Sequence, residues 1–395
     1  MSEGNPQTWS LYKVCDFAEV VGGGTPSTAD PGNFGDDIPW ITPKDLSTHR
    51  SRYVSRGERS LSSKGLTGSS AKRLPAGAVL VSSRAPIGLT AIAQNEVSTN
   101  QGCRSLVLKS EVADSEFVYY LMSASTDYLH QYANGTTFLE LPGGVFKNLE
   151  FILPPLGEQR RIAAVLGALD DRIDVASRLI GLLSAAAQTL SATAPDTCTV
   201  SDLAHSERVQ WYPEQHPGDI VDHYSLPAFD AGLGAERVEA TEIASNKLQV
   251  PGPRVLFSRL NPDTNRTWLC VPSPEVSTSV CSTEYAVLAP RTTTVGQLWA
   301  VLSAGEVGDL LAASSTGTSA SHQRVREDAV LGATVADPRS LSADDQHTLD
   351  IYTNSFLEKV RELKAMREAR DFLLPRLVSG ELRVAAAEEL VGAAT

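Results

Sequence analysis

Pro75-Ala-Gly-Ala-Val-Leu-Val-Ser-Ser-Arg84 returns, 176 residues later, as Pro251-Gly-Pro-Arg-Val-Leu-Phe-Ser-Arg259. Around this pair the echo widens. Glu96-Val-Ser-Thr99 recurs as Glu275-Val-Ser-Thr278, and Gly135-Thr136 as Gly317-Thr318. The offset drifts, as it does when loops gain or lose residues between retained elements. One repetition, rather than many, excludes a solenoid and predicts a molecule of approximate two-fold symmetry that touches two similar things.

Each copy reads as a β-rich module. Short apolar runs (Ala78–Val81, Ala91–Ala93 and Ser105–Leu108; then Arg254–Phe257 and Tyr285–Leu288) sit between Gly, Pro, Ser and Asn turn signals. Helical spacing follows at Glu116–His130 in the first copy and around Val295–Ala313 in the second.

A long helical stretch closes each copy. In the first, Ile162, Leu166, Leu169, Ile173, Ala176, Ile180, Leu183, Ala187 and Leu190 step alternately by four and three, an a/d seam. Pro154-Pro155 precedes it and Pro195 closes it. The second carries Leu349, Tyr352, Phe356, Leu363, Met366, Leu373 and Leu377, with Lys359 and Arg370 at weaker seam positions and Pro375 expected to kink or end it. Packed antiparallel at ~1.5 Å per residue, such helices would make a rod of roughly 45–55 Å, the length of about 13–16 base pairs of DNA. Asp170-Asp171 and Asp344-Asp345 are read as solvated or helix-start residues. The expected division is 1–155, 156–195, 196–340, 341–384 and a disordered tail at 385–395.

Composition narrows the function. The 395 residues hold no membrane-length apolar run, and the polar N-terminus lacks an export signal. Five cysteines without a CxxC pair predict reduced thiols in a cytoplasm and no structural metal. A net charge of −13 speaks against nucleic acid, yet residues 44–84 hold nine Lys/Arg against Asp45 and Glu58. Two readings of that cluster stay open: a phosphate footprint and a solvated loop face. The second copy shows no such cluster.

Catalytic constellations are missing. Gly22-Gly23-Gly24 fits neither GxGxxG nor GxxxxGK[ST] and runs into Thr25-Pro26, so it reads as a tight turn. Asn261-Pro262-Asp263-Thr264 lacks the second proline and the aromatic of an adenine-methyltransferase motif, and neither HExxH nor GxSxG occurs.

Several segments together resemble the specificity subunit of a type I restriction-modification system. They are Ala18-Glu-Val-Val-Gly-Gly-Gly-Thr-Pro-Ser27, Ile38-Pro-Trp-Ile-Thr-Pro-Lys-Asp-Leu46, Ser83-Arg-Ala-Pro-Ile-Gly88, Asn134-Gly-Thr-Thr-Phe-Leu-Glu-Leu141 and Leu153-Pro-Pro-Leu-Gly-Glu-Gln-Arg-Arg-Ile162. Asp222-His-Tyr-Ser-Leu-Pro-Ala-Phe-Asp230 resembles the opening of the second module, and Ala369–Leu382 the closing segment. The resemblance implies an α+β fold: two β-rich target-recognition domains joined by two long antiparallel coiled-coil helices with a pseudo-two-fold. It implies double-stranded DNA as ligand, read as an asymmetric bipartite site. It implies two copies of a methyltransferase subunit as partners, with restriction subunits in the full complex, and no membrane. The chain itself would be non-catalytic and bind no cofactor; S-adenosylmethionine, ATP and Mg2+ would serve its partners. The alternative is a scaffold of this descent that has lost DNA binding. The second module departs from the pattern at Arg259-Leu-Asn-Pro262, at Gly317–Arg324 and around Pro338–Gln346.

Base edges are read by side-chain donors and acceptors, while cations on phosphates set affinity. The candidate readers are Thr25, Ser27, Lys44, Arg84, Thr136 and Thr137 in the first module. In the second they are His223, Tyr224, Arg259, Asn261, Arg266, Thr318, Ser319 and His322. The competing roles are surface ion pairing for the arginines and loop capping for the hydroxyls. Trp40 is expected to pack.

Overall fold

The computed structural model describes residues 9–49, 51–135, 139–232, 234–272, 276, 278–313 and 323–393. It divides into two compact units: Met1–Asp174 with Met366–Thr395, and Val175–Ala365. The long helices are therefore not bodies of their own. The first, Leu156–Ala192, and the second, Ala343–Ser379, are each shared between units, and each is 37 residues long.

In the first unit, Ser10–Lys13 pairs antiparallel with Glu150–Leu153, bringing the start of the module to the foot of the long helix. One turn, Val14–Phe17, leads into Ala18–Gly22 at the edge of a five-stranded sheet. Its order is Ala18–Gly22, Arg104–Leu108, Val79–Ser83, Ile87–Ala93, Tyr53–Val54. Val79–Ser83 is buried along its whole length, which is why it reads as an unbroken run rather than an alternation. A smaller sheet orders Phe34–Gly35, Arg59–Leu61, Ile38–Ile41 and Ser98–Thr99. The core joins Val14, Phe17, Leu106, Phe117 and Phe146 to Ile162, Leu166 and Leu169 of the first long helix and to Leu373 and Leu377 of the second. The seam thus buries itself against helix and module together.

The second unit repeats the plan. Thr197–Thr199 pairs with Thr334–Ala336, the turn Val200–Leu203 follows, and Ala204–Glu207 enters a four-stranded sheet beside Tyr285–Pro290, Arg254–Ser258 and Thr267–Cys270. A five-stranded sheet carries Ile220–Tyr224 at its fourth position. Ala187, late in the first long helix, shares a core with Leu298, Trp299 and Leu349, early in the second.

Three expectations need correction. Asp170 is not a solvated surface residue: it is 8% exposed, accepts from the Tyr120 hydroxyl at 2.7 Å and pairs with Arg370 at 3.3 Å. That pair explains the arginine in the seam. Pro375 does not end its helix, which runs on to Ser379 and stops at Gly380 with φ +77°. So late in the helix proline forfeits a single backbone bond. Finally, the tail forms a helix, Val384–Ala393, that buries Val384 and Ala387 in the first core.

Candidate nucleic-acid interface

The central strand Val79–Ser83 delivers Arg84 to the edge of the first sheet. Ser82 Oγ donates to Pro86 O at 2.6 Å and accepts from Leu89 N at 2.8 Å, fixing the turn beyond it. Beside Arg84 lie Glu140 and Asn134, which exchange backbone hydrogen bonds of 2.9 Å. Glu140 lies 3.5 Å from Arg84 and 3.0 Å from Arg104. Arg104 also donates to Gln101 O at 3.1 Å, and the Gln101 side chain accepts from Thr25 Oγ1. Thr25 and Arg84, distant in sequence, therefore belong to one polar chain: Thr25, Gln101, Arg104, Glu140, Arg84. Gln101, Arg104 and Glu140 escaped the sequence reading, although Glu140 sits inside the quoted Asn134–Leu141 motif.

The other candidates of this module lie on framed loops. Ser27 is exposed, and its carbonyl accepts from Asn33 Nδ2 at 3.0 Å. Lys44, on the short helix Pro43–Thr48, is exposed and paired with Glu58 at 2.7 Å. Trp40 is buried, and its indole donates to Gly24 O at 3.1 Å. Gly23 and Gly24 are packing glycines: a Cβ there would lie 1.9 Å from Asn100 O and 2.2 Å from Ala71 N. Thr136 and Thr137 lie outside the described residues.

Most of the basic cluster is already paired. Arg56 faces Asp36, Lys64 faces Asp30, Arg73 faces Glu96, and Arg59 stacks 3.5 Å over the Phe34 ring. Except for Glu58 on Lys44, these carboxylates come from outside residues 44–84, so the local sum overstated the free charge. Pairs as exposed as Lys44–Glu58 are weak and exchange readily for phosphate.

The second module uses its candidates differently. Tyr224 is a core residue, 7% exposed, edge-on to Trp268 at 5.3 Å; burial raises its pKa. His223 is held below its ordinary pKa, by burial first and Lys247 second, with Glu236 at 3.9 Å opposing. Arg266 is clamped by both oxygens of Asp230 at 2.6 and 2.9 Å. Asn261 adopts a left-handed backbone and exchanges bonds with Gln323 at 2.8 and 3.2 Å, which makes it a loop brace. Arg259, the counterpart of Arg84, donates to Thr283 O at 2.7 Å. Arg324 bridges to Leu260 much as Glu140 bridges to Arg84, and pairs with Glu284 at 2.5 Å. The ion pair behind the strand end is kept with its signs exchanged. Thr318, Ser319 and His322 lie outside the described residues.

Among the described residues no group of His, Cys, Asp or Glu is placed to hold a metal, and no helix is long and apolar enough to cross a membrane. Burial pushes the thiols of Cys103 and Cys270 up to about 12.

A strand-rich module seated on a long helix is built twice in this chain. Residues 6–183 match the family described as the type I restriction modification DNA specificity domain. The type I restriction enzyme MjaIX specificity subunit of Methanocaldococcus jannaschii is 45% identical over 171 residues, 43% of this chain and 39% of that protein. The HindI specificity subunit of Haemophilus influenzae is 30% identical over 152 residues, 38% of this chain and 32% of that one. The matched stretches thus span less than half of either relative. Over nearly full lengths (95% of this chain, 98% of the other), the fold matches the S subunit of the type I system from M. genitalium, with TM-score 0.58 at 12% identity. The first module and most of its long helix are thus similar in sequence to type I DNA specificity domains, and the whole chain shares the fold of a solved S subunit.

Proposed function

We propose that this chain reads an asymmetric, bipartite sequence in double-stranded DNA, one half-site per module, and directs adenine methylation and restriction by partner subunits. The observation that carries this is the duplicated plan with unlike strand ends: matched frameworks present Arg84 beside Glu140 in one module and Arg259 beside Thr283 in the other. Matched frameworks with different tips are what reading two different half-sites requires. Thr25, Ser27, Lys44 and Arg84 are the first module's contacts in this reading. In the second module Arg259 takes that role, while Tyr224, Arg266 and Asn261 support it.

The chain supplies recognition and leaves the chemistry to its partners: S-adenosylmethionine to the methyltransferase subunits, ATP and Mg2+ to the restriction subunits. A docking face for such a partner is available on the first long helix. There Val175, Leu179 and Leu182 are 63%, 36% and 68% exposed, at helical spacings of four and three. Co-expression with a cognate methyltransferase subunit and profiling of adenine methylation tests the assignment. A split motif that disappears when this chain is omitted is the expected result.

A further inference from the structure

We infer that Arg52 and Gly167 form the lock that fixes the first module's orientation on its helices, and so the spacer length the subunit accepts. The inference rests on the DNA-reading assignment above and adds positioning residues to it. Arg52 is 8% exposed and is tied to the sheet by its carbonyl, which accepts from Ile92 N at 2.8 Å. Its guanidinium reaches Glu116 at 3.3 Å and the Tyr120 hydroxyl at 3.4 Å within the module, and Asp171 at 2.5 Å on the first long helix. Tyr120 continues to Asp170, and Asp170 to Arg370 of the second helix.

Gly167 makes the approach possible. A Cβ there would stand 2.4 Å from Arg52 Nη1, so the guanidinium lies directly on the helix backbone. Glycine inside a helix is unfavourable, and its presence under a buried cation gives the exception a reason. A buried ionic network adds little net stability over an apolar one; what it fixes is geometry, since each bond is satisfied in one arrangement only. The second module is seated by other means. Gly296 on the module's own helix faces Thr353, Thr294 bonds Asp350 at 2.6 Å, and Trp299 lies on Phe356 at 4.4 Å.

The test compares Arg52→Met, Gly167→Ala and Tyr120→Phe in the assembled methyltransferase complex, by profiling methylation across sites that differ only in spacer length. Both half-site sequences should stay unchanged, while preference for the parental spacer over one a base pair longer or shorter falls about tenfold, ~1.4 kcal/mol of positional discrimination. Gly167→Ala keeps every charge and decides the matter if Arg52→Met does not assemble. Variant complexes that are active and keep the parental spacer preference overturn the inference. A parent complex with no split motif would instead refute the DNA-reading assignment, and parent and variants would then fail alike.

Discussion

Gln346 repeats, 187 positions later, the work of Gln159. Gln159 Nε2 donates to Pro154 O at 2.9 Å, and Gln346 Nε2 donates to Leu341 O at 2.9 Å, each five residues back at the foot of its long helix. Gln159 goes further. It also donates to Val112 O and accepts from Asp114 N, both at 2.9 Å, while only 1% exposed. The opening motif that is degraded before the second helix in sequence has therefore kept its glutamine.

From this follows a difference in stability. Gln159→Ala strands three backbone groups, one buried and two half-buried, and is expected to destabilise by about 2–4 kcal/mol, whereas Gln346→Ala, at a half-buried site, is expected to lose ~1 kcal/mol. Denaturant melts of the two variants check the order; equal losses would contradict it.

Glu140 holds Arg84 and Arg104 together and screens both from an incoming phosphate. Glu140→Gln should raise the assembled complex's affinity for non-specific DNA several-fold at low salt and steepen its salt dependence by up to ~0.9 per phosphate gained. Arg84→Ala should weaken cognate binding. Titration across a salt series reads both, and an unchanged slope in Glu140→Gln would argue against this screening by Glu140.

The exposed stripe on the first long helix should act in assembly rather than in folding. Leu182→Asp is expected to leave the melting curve within ~0.5 kcal/mol of the parent, as exposed substitutions generally do, while abolishing capture of the methyltransferase subunit. Co-purification measures it. Full capture by a folded Leu182→Asp chain would remove the stripe from the interface.

His223 makes stability depend on pH. Its folded pKa lies below the ordinary value of 6.5, so the unfolded chain binds the proton more readily. This contribution is present above pH ~6.5 and is lost as pH falls through the folded pKa, with a slope of at most ~1.4 kcal/mol per pH unit. His223→Gln should flatten that acid limb in unfolding curves taken from pH 7.5 to 5. An identical slope in the variant would assign the limb to other groups.

What could be read from sequence was what is local and periodic. The repeated strand ending at Arg84 and Arg259, and the seam from Ile162 onward, announce themselves by spacing, and the α+β fold follows. What could not be read was pairing at a distance. Asp230 claims Arg266 from 36 residues away, Asp171 claims Arg52 from 119, and Arg370 claims Asp170 from 200. Tyr224 illustrates another limit: in a two-sided sheet, neighbouring His223 and Tyr224 point to opposite faces, and sequence alone did not say which was buried. Gly167 drew no notice inside its helix, because its reason lies in an arginine on another element.

The most direct test of the central claim is genome-wide adenine-methylation profiling of a host carrying this chain with its methyltransferase subunit, with and without Arg84→Ala and Arg259→Ala. The account predicts one split motif in the parent, weakened by either substitution and absent without the chain. Methylation at a continuous motif, or a split motif that persists when this chain is deleted, would contradict it.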